Sequence, residues 1–295
     1  MRFLNWSVDG RDWPLRAHSR FVSVGPLGWH VQRFGAGPRV LLIHGTGAST
    51  HSWRGVAPRL AETHELFSVD LPGHGFTRGR PEGGLRLPAV AGALARLLAQ
   101  EAFAPDLIVG HSAGAAIAVQ LVLAESLGCP VVAFAPALRP MGGEAAPLFS
   151  GAARLLLANP FTSFLAAGAA GTVMDVPRFL ERSTGSRIDA EGARLYARLF
   201  RSPGQVEGAL GLMAAWDLGA IARALPTLPV PITIAHGDRD AAIPLSEARQ
   251  VAALTRGRLE VMPGLGHLAH EERPETAADM ICHLSRGEGS SQPSG

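Results

Sequence analysis

The chain has 295 residues, 47% of them hydrophobic, and a formal net charge of +2. That length can bury the core of one enzyme-sized domain and carry an insertion, while the near-neutral balance and absence of a basic run argue against a nucleic-acid partner. Every cationic side chain is arginine and none is lysine, which excludes a P-loop ATPase and Schiff-base chemistry on lysine.

In chain order, the first residues lack the apolar run of a signal peptide. Residues 20–24 and 29–33 read as a short antiparallel entry. Residues 39–43 are a near-continuous apolar strand running into His44-Gly45-Thr46-Gly47-Ala48. Residues 66–69 form another strand, followed by a turn around Pro72-Gly73-His74-Gly75 in which His74 is read as structural. A buried strand over 105–109 leads into Gly110-His111-Ser112-Ala113-Gly114, and 115–123 reads as an apolar helix packed on its sheet. Further strands are expected over 131–134, 230–237 and 259–262, the last ending in Pro263-Gly264-Leu265-Gly266-His267. Strands alternating with helical stretches predict a mostly parallel α/β sheet with helices on both faces. The expected division is a core over 1–139 and 224–285, a helical cap over 140–223, and a disordered Ser/Gly/Pro-rich tail over 286–295. Cys129 and Cys282 read as buried thiols and not a disulfide framework, which fits a reducing cytoplasm.

The chemistry starts at Ser112. Gly-x-Ser-x-Gly arises often by chance, but between a strand and a helix it reads as a nucleophile elbow, a tight turn that lifts a serine hydroxyl off the sheet edge. The glycines are expected where strand and helix pass too close for a Cβ. A serine hydroxyl needs a neutral imidazole to take its proton, and the imidazole needs a carboxylate to hold its tautomer. His267 is assigned as that base and Asp240 as the orienting acid. Asp238 is read as a solvated loop carboxylate, and His270 as a competitor on the loop beyond His267. Thr46 and Ala113 are assigned as the backbone donors of an oxyanion hole, which together can supply several kcal/mol. This order, serine, acid after a strand, histidine after the last strand, resembles the α/β-hydrolases. Dehalogenases and epoxide hydrolases of that fold carry aspartate at the elbow, so Ser112 points to acyl chemistry.

The insertion is expected to set substrate choice. Residues 148–174 are unusually apolar, with Phe161 and Phe164 as candidates to touch substrate, but Arg154, Asn159 and Pro160 interrupt the run too early for a membrane span. Packing of cap helices on the core is the simpler account; a roof over a large apolar ligand, or a surface against a membrane or partner, is the functional one. Residues 185–201 read as a second, amphipathic helical segment whose start is capped by Asp189. Its Arg194, Arg198 and Arg201 are candidates to meet ligand carboxylates, though a solvated face is the simpler account.

A narrower resemblance rests on residues 44–53, 70–77 and 110–116, the cap stretch 196–204, and residues 264–272. Together these resemble the magnesium-chelatase accessory subunits encoded among the bacteriochlorophyll biosynthesis genes of phototrophic bacteria, over about residues 10–284. The resemblance implies a place at or beside magnesium insertion into protoporphyrin IX, while the cysteine usage and the apolar insertion point to a cytoplasmic protein, or one peripheral to a membrane. Its implied partners are protoporphyrin IX or the magnesium complex, and the chelatase subunits. It does not explain a Ser-His-Asp site, which suits ester hydrolysis. Three readings stand: a serine hydrolase for a bulky apolar ester such as a tetrapyrrole ester; an accessory factor that holds the tetrapyrrole with an idle triad; and a carboxylesterase or C–C bond hydrolase unrelated to pigment synthesis. His51 and Trp53 are weaker substrate-contact candidates, His51 as an axial ligand to chelated magnesium or, more simply, as a core or surface histidine. No cofactor or resident metal is called for, because the histidines lack zinc-ligand spacing and there is no cysteine cluster.

Overall fold

The computed structural model of the protein describes residues 3–140 and 175–286. Its centre is an eight-stranded sheet in the order β1-β2-β4-β3-β5-β6-β7-β8. The strands are β1 (Ser19–Val24), β2 (Leu27–Gly35), β3 (Arg39–Ile43), β4 (Glu65–Val69), β5 (Leu107–His111), β6 (Val131–Phe134), β7 (Ile232–Gly237) and β8 (Arg258–Met262). β1 and β2 pair antiparallel, as does β2 with β4, and every later pairing is parallel. The antiparallel entry and mostly parallel sheet expected from the pattern are therefore present.

The period of two in a strand divides the core into layers. From β3, Leu41 and Ile43 face one cluster while Val40 and Leu42 face another. The helices are α1 (Trp6–Asp9), α2 (Ala57–Leu60), α3 (Leu87–Gln100), α4 (Ala113–Glu125), α5 (Val176–Thr184), α6 (Ala190–Phe200), α7 (Pro203–Ala215), α8 (Gly219–Ala224), α9 (Leu245–Thr255), α10 (Ala269–Glu272) and α11 (Pro274–Ser285). The first layer holds α3 and α4 through Leu94, Leu97, Ile117 and Leu121, with Ala248 and Val251 of α9. The second holds α2 and α11 through Leu60, Ala277 and Ile281. Because α4 is buried on nearly every side, it is apolar all round and not amphipathic.

A third cluster joins α5 and α6, which lie between β6 and β7 in the chain, to the N-terminal segment and the loops at the sheet. Val176 and Leu180 of α5 and Leu195, Tyr196 and Leu199 of α6 pack with Trp13, Ala48, Phe76 and Leu268. Local chemistry sets both helices. Asp175 accepts from Arg178 N at 3.3 Å to start α5, and Gly185 ends it at φ 71 with its N–H on Glu181 O. Asp189 accepts from Gly192 N at 2.6 Å to start α6, the cap read from the sequence. Phe161 and Phe164, the apolar stretch over 148–174 and all but the first residue of the expected tail lie outside the described residues.

Among the described residues no single helix is long and apolar enough to cross a membrane; one bent pair, Pro203–Ala215 with Gly219–Thr227, passes by length and composition alone. Cys129 is a buried free thiol as expected, whereas Cys282 is half-buried, because α11 turns that position toward the edge of its layer.

Candidate active site

Ser112 sits between β5 and α4 with φ 51 and ψ −112, a conformation that costs a non-glycine residue about 1–3 kcal/mol. Its N–H donates to Phe134 O at 2.9 Å, and its carbonyl accepts from Ala115 N and Ala137 N at 3.1 and 3.2 Å. The flanking glycines are required by close approach. A Cβ on Gly110 would lie 2.6 Å from Ala115 Cα, and one on Gly114 would lie 2.2 Å from Ile43 O. The serine is therefore held at the N-terminus of α4, where the first N–H groups have no intrahelical acceptor and the helix dipole favours negative charge. Ala113 N is the first of these.

The loop after β3 arrives beside the elbow. A Cβ on Gly45 would meet His111 Nδ1 at 2.7 Å and Ser112 Cβ at 3.1 Å. Ala48 N–H donates to Gly45 O at 3.2 Å, closing a turn that contains Thr46, and Thr46 is partly exposed. His44 fixes the base of that turn: Nδ1–H donates to Gly45 O at 2.7 Å, and Nε2 accepts from Leu71 N at 2.9 Å. Burial lowers the His44 pKa, against the pull of Asp70, and so favours this neutral tautomer.

His267 and Asp240 come from the loops after β8 and β7. His267 Nδ1 lies 2.8 Å from Asp240 Oδ2, while Asp240 Oδ1 accepts from Ala242 N and Ile243 N, both at 2.8 Å. The Asp240 side chain is fully buried. His236 Nε2 donates to Ile243 O at 2.9 Å and stands 3.4 Å from the same Oδ2. Asp238 is exposed and accepts from Gly264 N at 2.7 Å. Among the described residues the hydrogen bonds join His267 to Asp240 but not Ser112 Oγ to His267 Nε2.

His270 departs from the expectation. It is on α10, not a loop, and is wholly buried between the rings of Trp53 and His111, at 4.7 and 4.5 Å. Burial pushes its pKa down to about 3, helped by His267 and Arg54. His51 and Trp53 are corrected too. Both are fully buried on the 3-10 turn Thr50–Trp53, so neither offers surface to a ligand in this structure. Trp53 packs in the second layer, and His51 holds Ser49 Oγ at 2.6 Å with its ring edge-on to Tyr196. Arg194 and Arg198 both pair with Asp12 of the N-terminal segment, and Arg194 and Arg201 are exposed.

The structure also reveals residues that local patterns do not flag. The Thr184 carbonyl of the cap accepts from both His267 N, at 2.8 Å, and Ala241 N, at 3.3 Å. Ser186 Oγ accepts from Leu268 N at 2.8 Å. Gly185 lies so close that a Cβ would stand 2.0 Å from Arg239 O. Glu271, buried behind His267, accepts from Tyr196 Oη at 2.7 Å and pairs with Arg54 at 2.6 Å, and Arg54 also reaches Asp189 at 2.7 Å. Burial pushes Glu271 up to about 7 against the pull of Arg54 and Tyr196. The repeat of acidic residues in His270-Glu271-Glu272 was the one sequence signal available for this knot, and it says nothing of the partners. Among the described residues no cluster of His, Cys, Asp or Glu is arranged to hold a metal ion.

Comparison with known proteins places these features. Residues 40–280 match the model of the alpha/beta hydrolase family. The chain is 36% identical over 279 residues to the magnesium-chelatase 30 kDa subunit of Rhodobacter capsulatus, covering 94% of this chain and 97% of that one. It is 30% identical over 277 residues to a pimeloyl-[acyl-carrier protein] methyl ester esterase of Edwardsiella ictaluri, covering 88% of this chain and 98% of the esterase. A crystal structure of an alpha/beta hydrolase fold protein from Burkholderia ambifaria superposes with a TM-score of 0.74 at 20% identity, over 89% of this chain and 96% of its own.

Proposed function

For a chain that belongs to the alpha/beta hydrolase family, we propose a serine hydrolase that cleaves an ester on a bulky apolar molecule, at or beside magnesium insertion into protoporphyrin IX. The observation that carries the hydrolytic reading is the elbow: Ser112 at φ 51 heads α4, with His267 already on Asp240 at 2.8 Å. In this reading His267 Nε2 takes the Ser112 hydroxyl proton while Oγ bonds to the carbonyl carbon. The carbonyl electron pair moves onto oxygen, where the N–H groups of Thr46 and Ala113 receive it. Collapse breaks the ester C–O bond, and His267 returns its proton to the departing alkoxide. A water molecule then repeats the sequence on the acyl-enzyme, releasing the acid and restoring Ser112. Asp240 keeps the proton of His267 on Nδ1 and stabilises the transient imidazolium. The Ser112–His267 contact is of the kind that tightens only with substrate bound.

The place in the pathway rests on likeness to the magnesium-chelatase 30 kDa subunit along nearly the whole chain. The tetrapyrrole, protoporphyrin IX or its magnesium complex, is substrate or cargo, and the chelatase subunits are proposed partners. Without a lysine the chain has no phosphate-loop ATPase of its own, so ATP-driven metal insertion belongs to other subunits. The same likeness, with no Ser112–His267 hydrogen bond among the described residues, favours a second reading in which the site holds a tetrapyrrole and the triad is idle. Likeness to a methyl ester esterase favours the hydrolase, pigment-related or not.

The discriminating experiment is intact mass after fluorophosphonate treatment, wild type beside Ser112→Ala, with and without magnesium protoporphyrin. Labelling of wild type alone, slowed by the tetrapyrrole, is expected. A folded wild type that stays unlabelled overturns the hydrolase in favour of the carrier, and labelling indifferent to tetrapyrrole removes the pathway assignment.

A further inference from the structure

Gln205 is a cap residue with no part in any motif, yet it is buried and has every polar atom engaged in the core. Its Oε1 accepts from Gly75 N at 2.7 Å, and its Nε2 donates to Gly47 O at 3.1 Å and Ala48 O at 3.3 Å. The orientation of the amide is dictated by its partners: reversed, it would set oxygen against two carbonyls and NH2 against an N–H. The helix bearing it lies on the core backbone to backbone. A Cβ on Gly208, one turn along α7, would stand 1.9 Å from Gly73 O, and one on Gly73 would stand 2.8 Å from Gly208 Cα. Gln205 thus spans from α7 to two loops, the turn after β4 and the turn holding Thr46. On the latter it grips the far side, the carbonyls of Gly47 and Ala48, while Ala48 N–H closes the turn back on Gly45 O.

We propose that Gln205 is a positioning residue for the oxyanion turn, through which the seating of cap helix α7 sets the direction of the Thr46 N–H. This rests on Thr46 being an oxyanion donor, as in the function proposed above. Gln205 holds the carbonyls of Gly47 and Ala48, the Gly47–Ala48 peptide carries the Ala48 N–H that binds Gly45 O, and the Gly45–Thr46 peptide carries the Thr46 N–H, so the grip reaches that donor through one hydrogen bond and sets its direction before charge develops. A substrate that displaces α7 pulls on the same side chain, so cap position and oxyanion geometry move together.

The experiment uses the full chain with Gln205→Glu, Gln205→Met and, as a control on the same helix, Glu207→Ala, which removes only the exposed pair with Arg80. Glutamate keeps the acceptor for Gly75 N but loses both donors to the turn; methionine loses all three bonds at similar size. Two readouts are taken: amide hydrogen exchange, and kcat and KM on a short p-nitrophenyl ester with the phosphonylation rate. Gln205→Glu is expected to keep the Gly75 amide protected, to speed exchange in residues 44–50, and to lower kcat and phosphonylation about 10–100-fold with KM within about twofold, short of the ~100–1,000-fold loss on deleting a donor outright. Gln205→Met is expected to speed exchange at Gly75 as well, and Glu207→Ala to match wild type. A folded Gln205→Glu with wild-type kcat and wild-type exchange over 44–50 overturns the proposal and leaves Gln205 as packing. If wild type neither hydrolyses nor labels, the hydrolase reading fails by itself. The strut is then decided by exchange alone: faster exchange over 44–50 in Gln205→Glu supports it, and equal exchange overturns it.

Discussion

Among the described residues two Ser–His–Asp alignments stand at opposite fates. At the antiparallel edge Ser19 Oγ lies 3.0 Å from His30 Nε2, and His30 Nδ1 lies 2.7 Å from Asp70 Oδ2, so both links are closed. At the parallel strand ends the His267–Asp240 link is closed and the serine link is open. Everything else about the first set is structural. Ser19 has ordinary extended backbone, its N–H is taken by Arg16 O, and Gln32 Nε2 donates to its Oγ at 3.1 Å. His30 is sealed beneath Trp6, Phe21 and Phe76. Asp70 also holds Thr50 N and Phe76 N, at 2.7 and 2.8 Å, and so fastens the loops after β3 and β4. What separates the sets is therefore not the three side chains. It is the strained elbow and the helix N-terminus.

The comparison breaks first on the two carboxylates. Asp240→Asn is expected to lower esterase kcat about 10,000-fold through the wrong histidine tautomer, and also to lower the urea midpoint, because its carboxylate is as fully buried and hydrogen-bonded as that of Asp70. Asp70→Asn is expected to act on stability alone, costing about 3–5 kcal/mol as a buried, hydrogen-bonded charge is lost, with kcat of the folded fraction near wild type. Burial alone would raise the Asp70 pKa, but His30, His44 and the Phe76 N–H hold it well below the ordinary carboxylate range. Steady-state kinetics and urea unfolding on both variants decide the matter. A rate loss without a stability loss in Asp70→Asn would make the edge alignment functional.

Acid sharpens the contrast, because buried neutral histidines lie on both sides of it. His74, on the turn after β4, and His270, behind the elbow, are each pushed down to about 3 by burial. Burial lowers His44, His51 and His111 as well. Below about pH 6.5 the unfolded chain binds protons that the folded one refuses, so stability falls as pH falls, by about 1.4 kcal/mol per pH unit for each such group. Glu271 works in the opposite sense. Its pKa is raised to about 7, so its contribution is full below 4.5 and is lost as pH rises toward 7. The histidines outnumber it, and the urea midpoint is expected to drop between pH 7 and 5. His270→Phe should flatten that slope, and Glu271→Gln should steepen it. A midpoint that rises on acidification would mean that these rings are already protonated in the fold.

The elbow, the parallel sheet and the choice of Asp240 over Asp238 are legible in the sequence because each is local. Gly110 and Gly114 announce a strand and helix in contact, and Gly237-x-x-Asp240 marks the end of a strand. The supporting shell is not local. Gln205 meets Gly75 across 130 positions, Tyr196 meets Glu271 across 75, and His30 meets Asp70 across 40. Those pairings are made by the packing of one element on another, and no spacing rule anticipates them. The same reason accounts for His51 and Trp53: a polar-aromatic run beside the turn holding Thr46 reads as ligand-facing until α6 and α10 are laid over it.

The finest test lies in Ser19 itself. Ser19→Ala removes the Oγ that His30 Nε2 and Gln32 Nε2 share, but Gln32 keeps the Pro14 carbonyl at 2.7 Å and His30 keeps Asp70. The loss is then that of one partly buried hydrogen bond with its partner left behind, about 1 kcal/mol, and phosphonylation should proceed at the wild-type rate. The sensitive version places the substitution opposite its counterpart. Ser112→Ala with Ser19 intact offers the probe only the edge serine, whose lone pair already accepts from Gln32 and whose backbone is unstrained. No label is expected on that protein even at long exposure. A peptide-mapped adduct on Ser19 would show that a closed hydrogen-bond chain activates a serine without an elbow, and the distinction between the two alignments would then have to be sought in substrate access.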